Sequence, residues 1–555
     1  MQEHSELLKQ LLGTRGIEGD KEIDLFLNPD YERDLLDPYL MRDMERACVR
    51  MFEAIDNNQK VVIYADYDCD GIPGAVIMQD FFSLIGYQNF EVYIPQRNSE
   101  GYGLNMEAIK IFGDSGVKLL FTIDLGITAV EEVAQAEVLG IDTIITDHHI
   151  PHAILPRAYA ILNPKVDEYP EKMLCGAGVA FKFVQGFIKK YGEFYKIKSG
   201  AEKWMLDMAG LATLSDMVPL LGENRVIAYY GLKVFRKSPR PGLQKLLKKM
   251  NIDQRTISED DIAFMVTPKI NVASRMDDPR RAFELLSTRD VLEGGMLADH
   301  LSKINEDRKY IVSGIMREVK KIFETRKTNE SMHEVIVIGS PSWKVGVLGL
   351  VAGKIMDEYE KPVFVWGKDE NDAIKGSCRS PGSVSLVELM TETADSFLEF
   401  GGHEMAGGFT VQNDKVHFLE EVLSKAFLKV KRDPSTSSGP GNYDIKADLE
   451  SVNMKVWNDL EKLSPYGCEN QKPVFLFEDV NIQKIKKFGK NGSGEHLEIV
   501  FSNGKKEVKA ISFFSGLESF SKDINEGGKA NLLATFDLSR FGGKVELRLR
   551  IVDIF

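Results

Sequence analysis

Residues 61–86 read VVIYADYDCDGIPGAVIMQDFFSLIG. The apolar run VVIYA has the length and β-branched content of a buried strand, and the stretch from Gly71 onward has the length and apolar spacing of a helix. Between them stand Asp66, Asp68 and Asp70 at alternate positions. Alternate residues of an extended segment project from the same side. Like charges so placed repel one another unless something positive sits among them. The junction is therefore either a solvated acidic turn or half of a metal site.

Outward from this unit the alternation repeats. FEVYIP, KLLFTID and DTIITDHH read as strands, and NMEAIKIFGDSG and AVEEVAQAEVLG read as helices. Short alternating units predict a parallel sheet with covering helices, an α/β fold. Upstream, residues 1–55 read as a helical segment, and residues 56–230 as the first α/β domain, ending in the apolar-periodic EKWMLDMAGLATLSDMVPL. Residues 231–330 are helical, closing in a polar stretch of the kind that connects domains. A second α/β domain is expected over 331–430, with strands HEVIVIG and KPVFVWG around the helix VGVLGLVAGKIMDEY. KRDPSTSSGPGNYD, 431–444, reads as a linker. Residues 445–555 carry short strands with turn signals and predict a small β-barrel.

A chain of 555 residues exceeds one hydrophobic core, and its 43% hydrophobic and 28% charged residues describe an ordinary globular protein. No apolar run reaches the roughly 18–20 residues that span a bilayer, and the N-terminus lacks a signal-peptide core. The five cysteines form no CxxC pair, which argues against a disulfide framework or zinc knuckle and fits a reducing cytosol. A cytoplasmic protein without membrane partners is expected. The net charge of −14 argues mildly against nucleic acid, although a global sum hides local patches.

In an open α/β sheet, ligands gather at the carboxyl ends of the strands. Three predicted strands end in metal-capable residues: Asp66, Asp68 and Asp70; Asp124 in TIDLG; and Asp147, His148 and His149 in TDHH. Asp216, in LSDMVP, is a fourth candidate. Taken alone, DxDxDG is equally a turn or a calcium-type loop, although the bidentate Glu of such a loop is missing, and HH is equally a surface or capping pair. Both closing strands of one sheet point to metal. Oxygen donors with one or two imidazoles suit Mn²⁺ or Mg²⁺. Two such ions about 3.5–4 Å apart would hold the attacking and leaving oxygens of a phosphoryl transfer.

In order and spacing, DYDCDG, IDLG, TDHH and LSDMVPL resemble the four motifs of the DHH phosphoesterase superfamily. IPQRNSEGYGLN, TPKINVASRMDDP, KGSCRS, FGGHEMAGG and LSPYGCENQKPVF resemble its RecJ branch, the single-strand-specific 5′→3′ exonucleases, from about residue 15 to the C-terminus. The resemblance implies a DHH domain, a helical connector, a DHHA1 domain and an OB-like barrel. It implies two ions, with Asp68 on the first, Asp70 on the second and Asp124 between them. His148 and Asp216 would complete the second, Asp66 and Asp147 would support the ligands, and His149 would contact the scissile phosphate or orient the ligands. The sequence departs from the pattern at Tyr64, where some members have a metal-binding His, and at Cys69 and Gly407, where Ala is usual.

By the same resemblance, Arg97, Arg275, Ser377 and Arg379 would form a pocket for a 5′-phosphate, and His403 would contact the substrate. On the barrel, KIKKFGKNGSGEH (484–496) and NGKKEVK are basic and lie near Phe488, Phe501, Phe513 and Phe514. Lysines beside aromatics on a small barrel suit single-stranded bases. The expectation is an exonuclease of DNA repair and recombination that releases 5′-mononucleotides from single-stranded DNA, with a single-strand-binding protein and a helicase as partners. The alternatives are a phosphoesterase of short oligonucleotides or cyclic dinucleotides, and a non-catalytic replication scaffold.

Overall fold

Strand β1 (Val61–Ala65) is buried along its whole length. It pairs in parallel with β2 (Phe90–Tyr93) and β3 (Leu119–Ile123), and β4 (Asp142–Thr146) and β5 (Ala160–Leu162) continue the sheet in the order β2-β1-β3-β4-β5. Helices cover both faces, which is why the central strands read as unbroken apolar runs. On one face Tyr64, Leu120 and Ile145 pack with Ala108, Phe112 and Val133. On the other, Phe121 meets Phe183 of the helix Gly176–Tyr191 at 4.8 Å between ring centres. The computed structural model describes residues 5–97, 99–166, 168–327, 333–431, 443–489, 496–513, 515–539 and 545–555.

The helix Val291–Lys327 leads to a second sheet. Its strands are β6 (Ile336–Gly339), β7 (Val363–Lys368), β8 (Ile374–Arg379), β9 (Phe397–Gly402) and β10 (Ala406–Val411), in the order β6-β7-β8-β10-β9. The β6–β7 pair is parallel and the other pairs are antiparallel. Val312, Ile315, Val319 and Phe323 of the long helix pack with Val347, Leu348 and Val351 against one face of this sheet. KGSCRS is therefore strand β8, and FGGHEMAGG is the hairpin from β9 to β10.

The third sheet runs β11 (Ile445–Lys446), β12 (Phe475–Phe488), β13 (His496–Ser502), β14 (Glu507–Phe513), β16 (Glu546–Ile554) and β15 (Lys529–Ser539). A β12–β15 pairing closes strands β12 to β16 into a barrel, with the short β11 paired to β12 alone. Of the stretches read from sequence, linker residues 432–442, loop residues 490–495 and Phe514 lie outside the described residues.

The chain divides into two compact units: Met1–Leu36, Met217–Tyr229 and Ser437–Phe555 form one, and Asp37–Asp216 with Tyr230–Thr436 form the other. Residues 1–55, read as one helical segment, are thus shared between them. In the barrel unit, Leu8, Leu11, Leu12 and Leu27 of the first two helices join the barrel core. Arg225 ties this unit together. Its guanidinium donates to Phe26 O at 2.9 Å, Leu463 O at 3.0 Å and Ser464 O at 2.9 Å, and lies 3.9 Å over the Phe26 ring. Replacing it by Ala would orphan several buried carbonyls. Arg225→Ala is expected to cost roughly 3 kcal/mol or more of barrel-unit stability, read from the urea midpoint; a loss below about 1 kcal/mol would contradict this account.

Candidate metal centre and active site

Each acidic motif begins where a parallel ladder ends. Asp66 N donates to Ile123 O at 3.1 Å, Asp124 N to Thr146 O at 2.9 Å and Asp147 N to Leu162 O at 3.0 Å. The aspartates are therefore set in a row by the sheet itself. Asp124 takes a left-handed backbone conformation, φ 62°, which a non-glycine residue adopts at some cost. Glycine at 176 lets the chain come close: a Cβ there would lie 2.5 Å from Asp124 Cβ and 2.7 Å from its Oδ1. Gly176 N and Ala177 N, at the start of the helix Gly176–Tyr191, donate to the two Asp70 carboxylate oxygens at 2.6 and 2.7 Å. Asp216 follows the last residue of the helix Leu206–Ser215.

Three sets of donor atoms lie within 4.8 Å of one another: Asp66, Asp68 and Asp124; Asp70, His148 and Asp216; and Asp124, His148 and His149. His148 Nε2 stands 3.1 Å from Asp124 Oδ1 and 3.8 Å from both Asp70 Oδ2 and Asp216 Oδ2. Asp147 is turned away from these sets and organises the pair of histidines. Its carboxylate accepts from Ile127 N, His148 N and His149 N, and its Oδ1 lies 2.8 Å from His149 Nδ1. A cavity of about 240 Å³ is lined by Asp66, Asp68, Asp124, His148, His149 and Asp216, together with Tyr67, Arg97, Tyr102, Asn271, Ser274 and Arg275.

The residues fit a pair of hard divalent ions. Asp66 Oδ1 and Asp124 Oδ1 are buried with no hydrogen-bond donor, and carboxylate oxygens with imidazole are the donors that Mn²⁺ and Mg²⁺ take. The electrostatics agree. Burial, then the field of Asp68, pushes the Asp70 carboxyl up to about 6. Asp66, Asp124 and Asp216 are raised well above the carboxylate range, first by burial and then by neighbouring carboxylates. Burial, then His149, pushes His148 down to about 3, so it stays neutral and able to ligate. For His149, burial is outweighed by the hydrogen bond and charge of Asp147 together with the field of Asp70, which hold its proton more firmly than usual.

Arg97 and Arg275 line the cavity. Burial, followed by the fields of Arg97, Arg308 and Arg379, pushes Arg275 down to about 9, so these cations share one neighbourhood. Arg379 and Ser377 do not line the cavity; both sit on β8 beside Gly349, where a Cβ would lie 2.9 Å from Arg379 Nη2. His403 is also outside the cavity wall, and its ring stacks on that of His149, 5.8 Å between centres and 12° apart. Tyr64 is brought to the core instead: it is fully buried, and its hydroxyl donates to Gly103 O at 3.1 Å. Cys69 is buried and accepts from Ser215 Oγ at 3.4 Å. At Gly407 a Cβ would crowd Gly401 O at 2.9 Å, Cys378 Sγ at 3.0 Å and Met390 Cε at 3.1 Å, so a methyl group there would force its neighbours to shift.

Sequence reasoning passed over four contributors. Tyr102 donates from its hydroxyl to Asp124 O at 3.2 Å and lies 3.3 Å from His149 Nδ1; its place in EGYGLN was the available signal. Lys165 Nζ donates to His148 O. The Gly176 and Ala177 amides had no local signal, because their partner Asp70 is remote in sequence.

In the barrel, cross-strand register aligns Phe488, His496 and Phe513. Their rings follow one another at 5.2 and 5.5 Å, and the Arg548 and Arg550 guanidinium groups lie 5.9 and 5.6 Å from the Phe513 ring. Phe501 is a core residue.

Residues 60–213 match the DHH family N-terminal domain, 332–431 the DHHA1 domain and 443–553 the RecJ OB domain. Over 559 residues the chain is 31% identical to the single-stranded-DNA-specific exonuclease RecJ of Bacillus subtilis, covering 99% of this chain and 67% of that protein. It is also 31% identical over 558 residues to RecJ of Haemophilus influenzae, covering 98% and 95%. The chain belongs to the RecJ family. The crystal structure of RecJ with Mn²⁺ from Thermus thermophilus shares the fold of this RecJ-family chain, with TM-score 0.78 at 23% identity, covering 100% of this chain and 78% of that one. A manganese-bound exonuclease RecJ aligns with TM-score 0.62 at 27% identity, covering 71% and 96%. No helix among the described residues is long and apolar enough to cross a membrane.

Proposed function

We propose that this RecJ-family exonuclease degrades single-stranded DNA from its 5′ end, releasing 5′-mononucleotides by two-ion phosphodiester hydrolysis, in DNA repair and recombination. The supporting observation is one cavity at which the Asp66, Asp68 and Asp124 donors lie beside the Asp70, His148 and Asp216 donors, with His148 Nε2 3.1 Å from Asp124 Oδ1, and which is also lined by Arg97 and Arg275. Asp66, Asp68 and Asp124 would hold one Mn²⁺ or Mg²⁺ ion, and Asp70, His148 and Asp216 the other. When bound, these ions supply Lewis-acid neutralisation of the charge that develops on the phosphoryl and leaving oxygens. The chain's own residues position the substrate. Arg97 and Arg275 offer forked donors for a terminal phosphate, with Ser377 and Arg379 near them. Asp147 fixes His149 through Nδ1, which leaves Nε2 to donate to a phosphate oxygen. His403 braces that ring by stacking. A single-strand-binding protein and a helicase are the partners such an enzyme would work with.

The decisive experiment compares 5′-labelled with 3′-labelled single strands in Mn²⁺. Immediate release of labelled mononucleotide from the 5′ end, abolished by chelator, is expected; activity confined to the shortest oligonucleotides would favour a small-substrate phosphoesterase instead. Arg97→Ala is expected to lower kcat/KM about tenfold or more on 5′-phosphorylated strands, with less effect on 5′-hydroxyl strands. Equal losses on both would remove Arg97 from the terminal-phosphate pocket. On the barrel, Phe513→Ala should weaken binding of a single strand by about tenfold, the scale of one stacked base, with the melting temperature held because Phe513 is exposed.

A further inference from the structure

Ser215 is the last residue of the helix that delivers Asp216, and its hydroxyl meets three partners. Its Oγ donates to Leu211 O at 2.6 Å, lies 2.6 Å from Thr267 Oγ1 and lies 3.4 Å from Cys69 Sγ. Cys69 stands between Asp68 and Asp70, one from each of two donor sets. Thr267 opens the helix Thr267–Met276. Asn271, Ser274 and Arg275 follow it at steps of three and four residues, which keeps them on its side of the helix, and all three line the cavity. One pair of hydroxyls therefore joins three segments of the cavity wall: the turn through Asp68, the helix end that carries Asp216 and the helix that carries Arg275.

The backbone beside Thr267 is adapted to this contact. Residues Ile262–Val266 form a π-helical turn, and Thr267 Oγ1 donates to Ile262 O, five residues back, at 2.9 Å. Such a turn carries an extra residue, is rare, and recurs at functional sites. Thr267 and Cys69 are buried. Valine and alanine would fill their places without a polar atom to satisfy, so packing alone does not call for a chain of thiol and hydroxyls. Neither Ser215 nor Thr267 lines the cavity, so neither touches an ion or a strand directly.

We propose that Ser215 and Thr267 are positioning residues whose mutual hydrogen bond holds Asp216 and the Asp68–Asp70 turn in register with the Asn271 and Arg275 wall. The bond thereby sets the affinity of the ion that Asp70, His148 and Asp216 would hold. This rests on the two-ion reading above. A carboxylate just past a helix end swings with small rotations of the last turn, and pinning the preceding side chain removes that freedom.

The test is equilibrium Mn²⁺ binding to the full chain, read from the magnetic-resonance signal of free Mn²⁺, for the wild type, Ser215→Ala, Thr267→Val, the double variant and Thr267→Ser. Each of the first two single variants should bind one of the two ions about tenfold more weakly. The double variant should be no weaker than either, because both remove the same bond. Thr267→Ser keeps the hydroxyl and should stay within about twofold of the wild type. Wild-type affinity in both single variants would make the bond structural only and overturn the proposal. Losses that multiply in the double variant would overturn it too, since the two hydroxyls would then act separately. If Ser215→Ala does not fold, Thr267→Val against Thr267→Ser decides, equal affinities being the contrary result. A wild type that binds no Mn²⁺ would instead overturn the two-ion reading itself.

Discussion

Asp124→Asn is expected to slow hydrolysis of single-stranded DNA about 10³-fold or more while raising the melting temperature of the metal-free protein. The two effects have one cause. Asp124 belongs to the donor set with Asp66 and Asp68, and its Oδ1 stands 3.1 Å from Nε2 of His148 in the set with Asp70 and Asp216, so its loss removes a donor from one ion site and a neighbouring charge from the other. Loss of Lewis-acid stabilisation worth several kcal/mol corresponds to that rate factor. In the metal-free protein the same charge is a liability: burial, and then Asp70, Asp68, Asp66 and Asp216, raise its carboxyl well above the usual range. A neutral amide of the same shape removes that repulsion. Asn is chosen over Ala because Asn tolerates the left-handed conformation at φ 62°. Single-turnover digestion in Mn²⁺ and thermal melts in chelator measure the two effects. Activity above a tenth of wild type would remove Asp124 from the site, and a lowered melting temperature would contradict the repulsion.

Sequence and structure agree most closely where local pattern and sheet topology say the same thing. β1, β3 and β4 are apolar runs ending in acidic motifs, and parallel pairing sets those ends in one row. Asp66, Asp124 and Asp147 were therefore legible as neighbours. β5 was not, because Ala160–Leu162 is three residues long and carries no periodicity. Glycine and serine give KGSCRS and FGGHEMAGG no strand periodicity, yet they form β8 and the β9–β10 hairpin, held by β7 and by each other. Tyr64 illustrates the limit of spacing. It occupies a position that holds a ligand in some relatives of the superfamily, but its ring is packed between Tyr93 and Phe112.

Mn²⁺ should stabilise the folded protein far more at pH 7.5 than at pH 5.5. In the unfolded chain Asp70 titrates near 3.9, whereas in the folded site its carboxyl is pushed up to about 6, first by burial and then by Asp68. Between those values the folded state keeps a proton that the unfolded chain has released, so this group removes stability as pH rises from about 4 to 6. A displacement of that size corresponds to about 3 kcal/mol. Asp66, Asp124 and Asp216 are displaced in the same direction, first by burial and then by neighbouring carboxylates, and add losses of the same sign. His148 runs the other way. Its folded value of about 3, set by burial and then His149, lies below the unfolded 6.5, so it adds stability as pH rises from about 3 to 6.5 and nothing beyond. Above pH 6.5 His148 adds nothing more, while His149, whose proton Asp147 helps to hold, loses stability as pH rises, and the metal-free melting temperature should fall as pH rises toward 8. A divalent ion neutralises the carboxylate repulsion and competes with protons for the same oxygens, so the rise in melting temperature it causes should grow with pH. Melts in chelator and in Mn²⁺ at the two pH values measure this directly, with Asp124→Asn as the control whose chelated curve should be flatter. A metal-induced shift equal at both pH values would rule out the clustered carboxylates as the binding site.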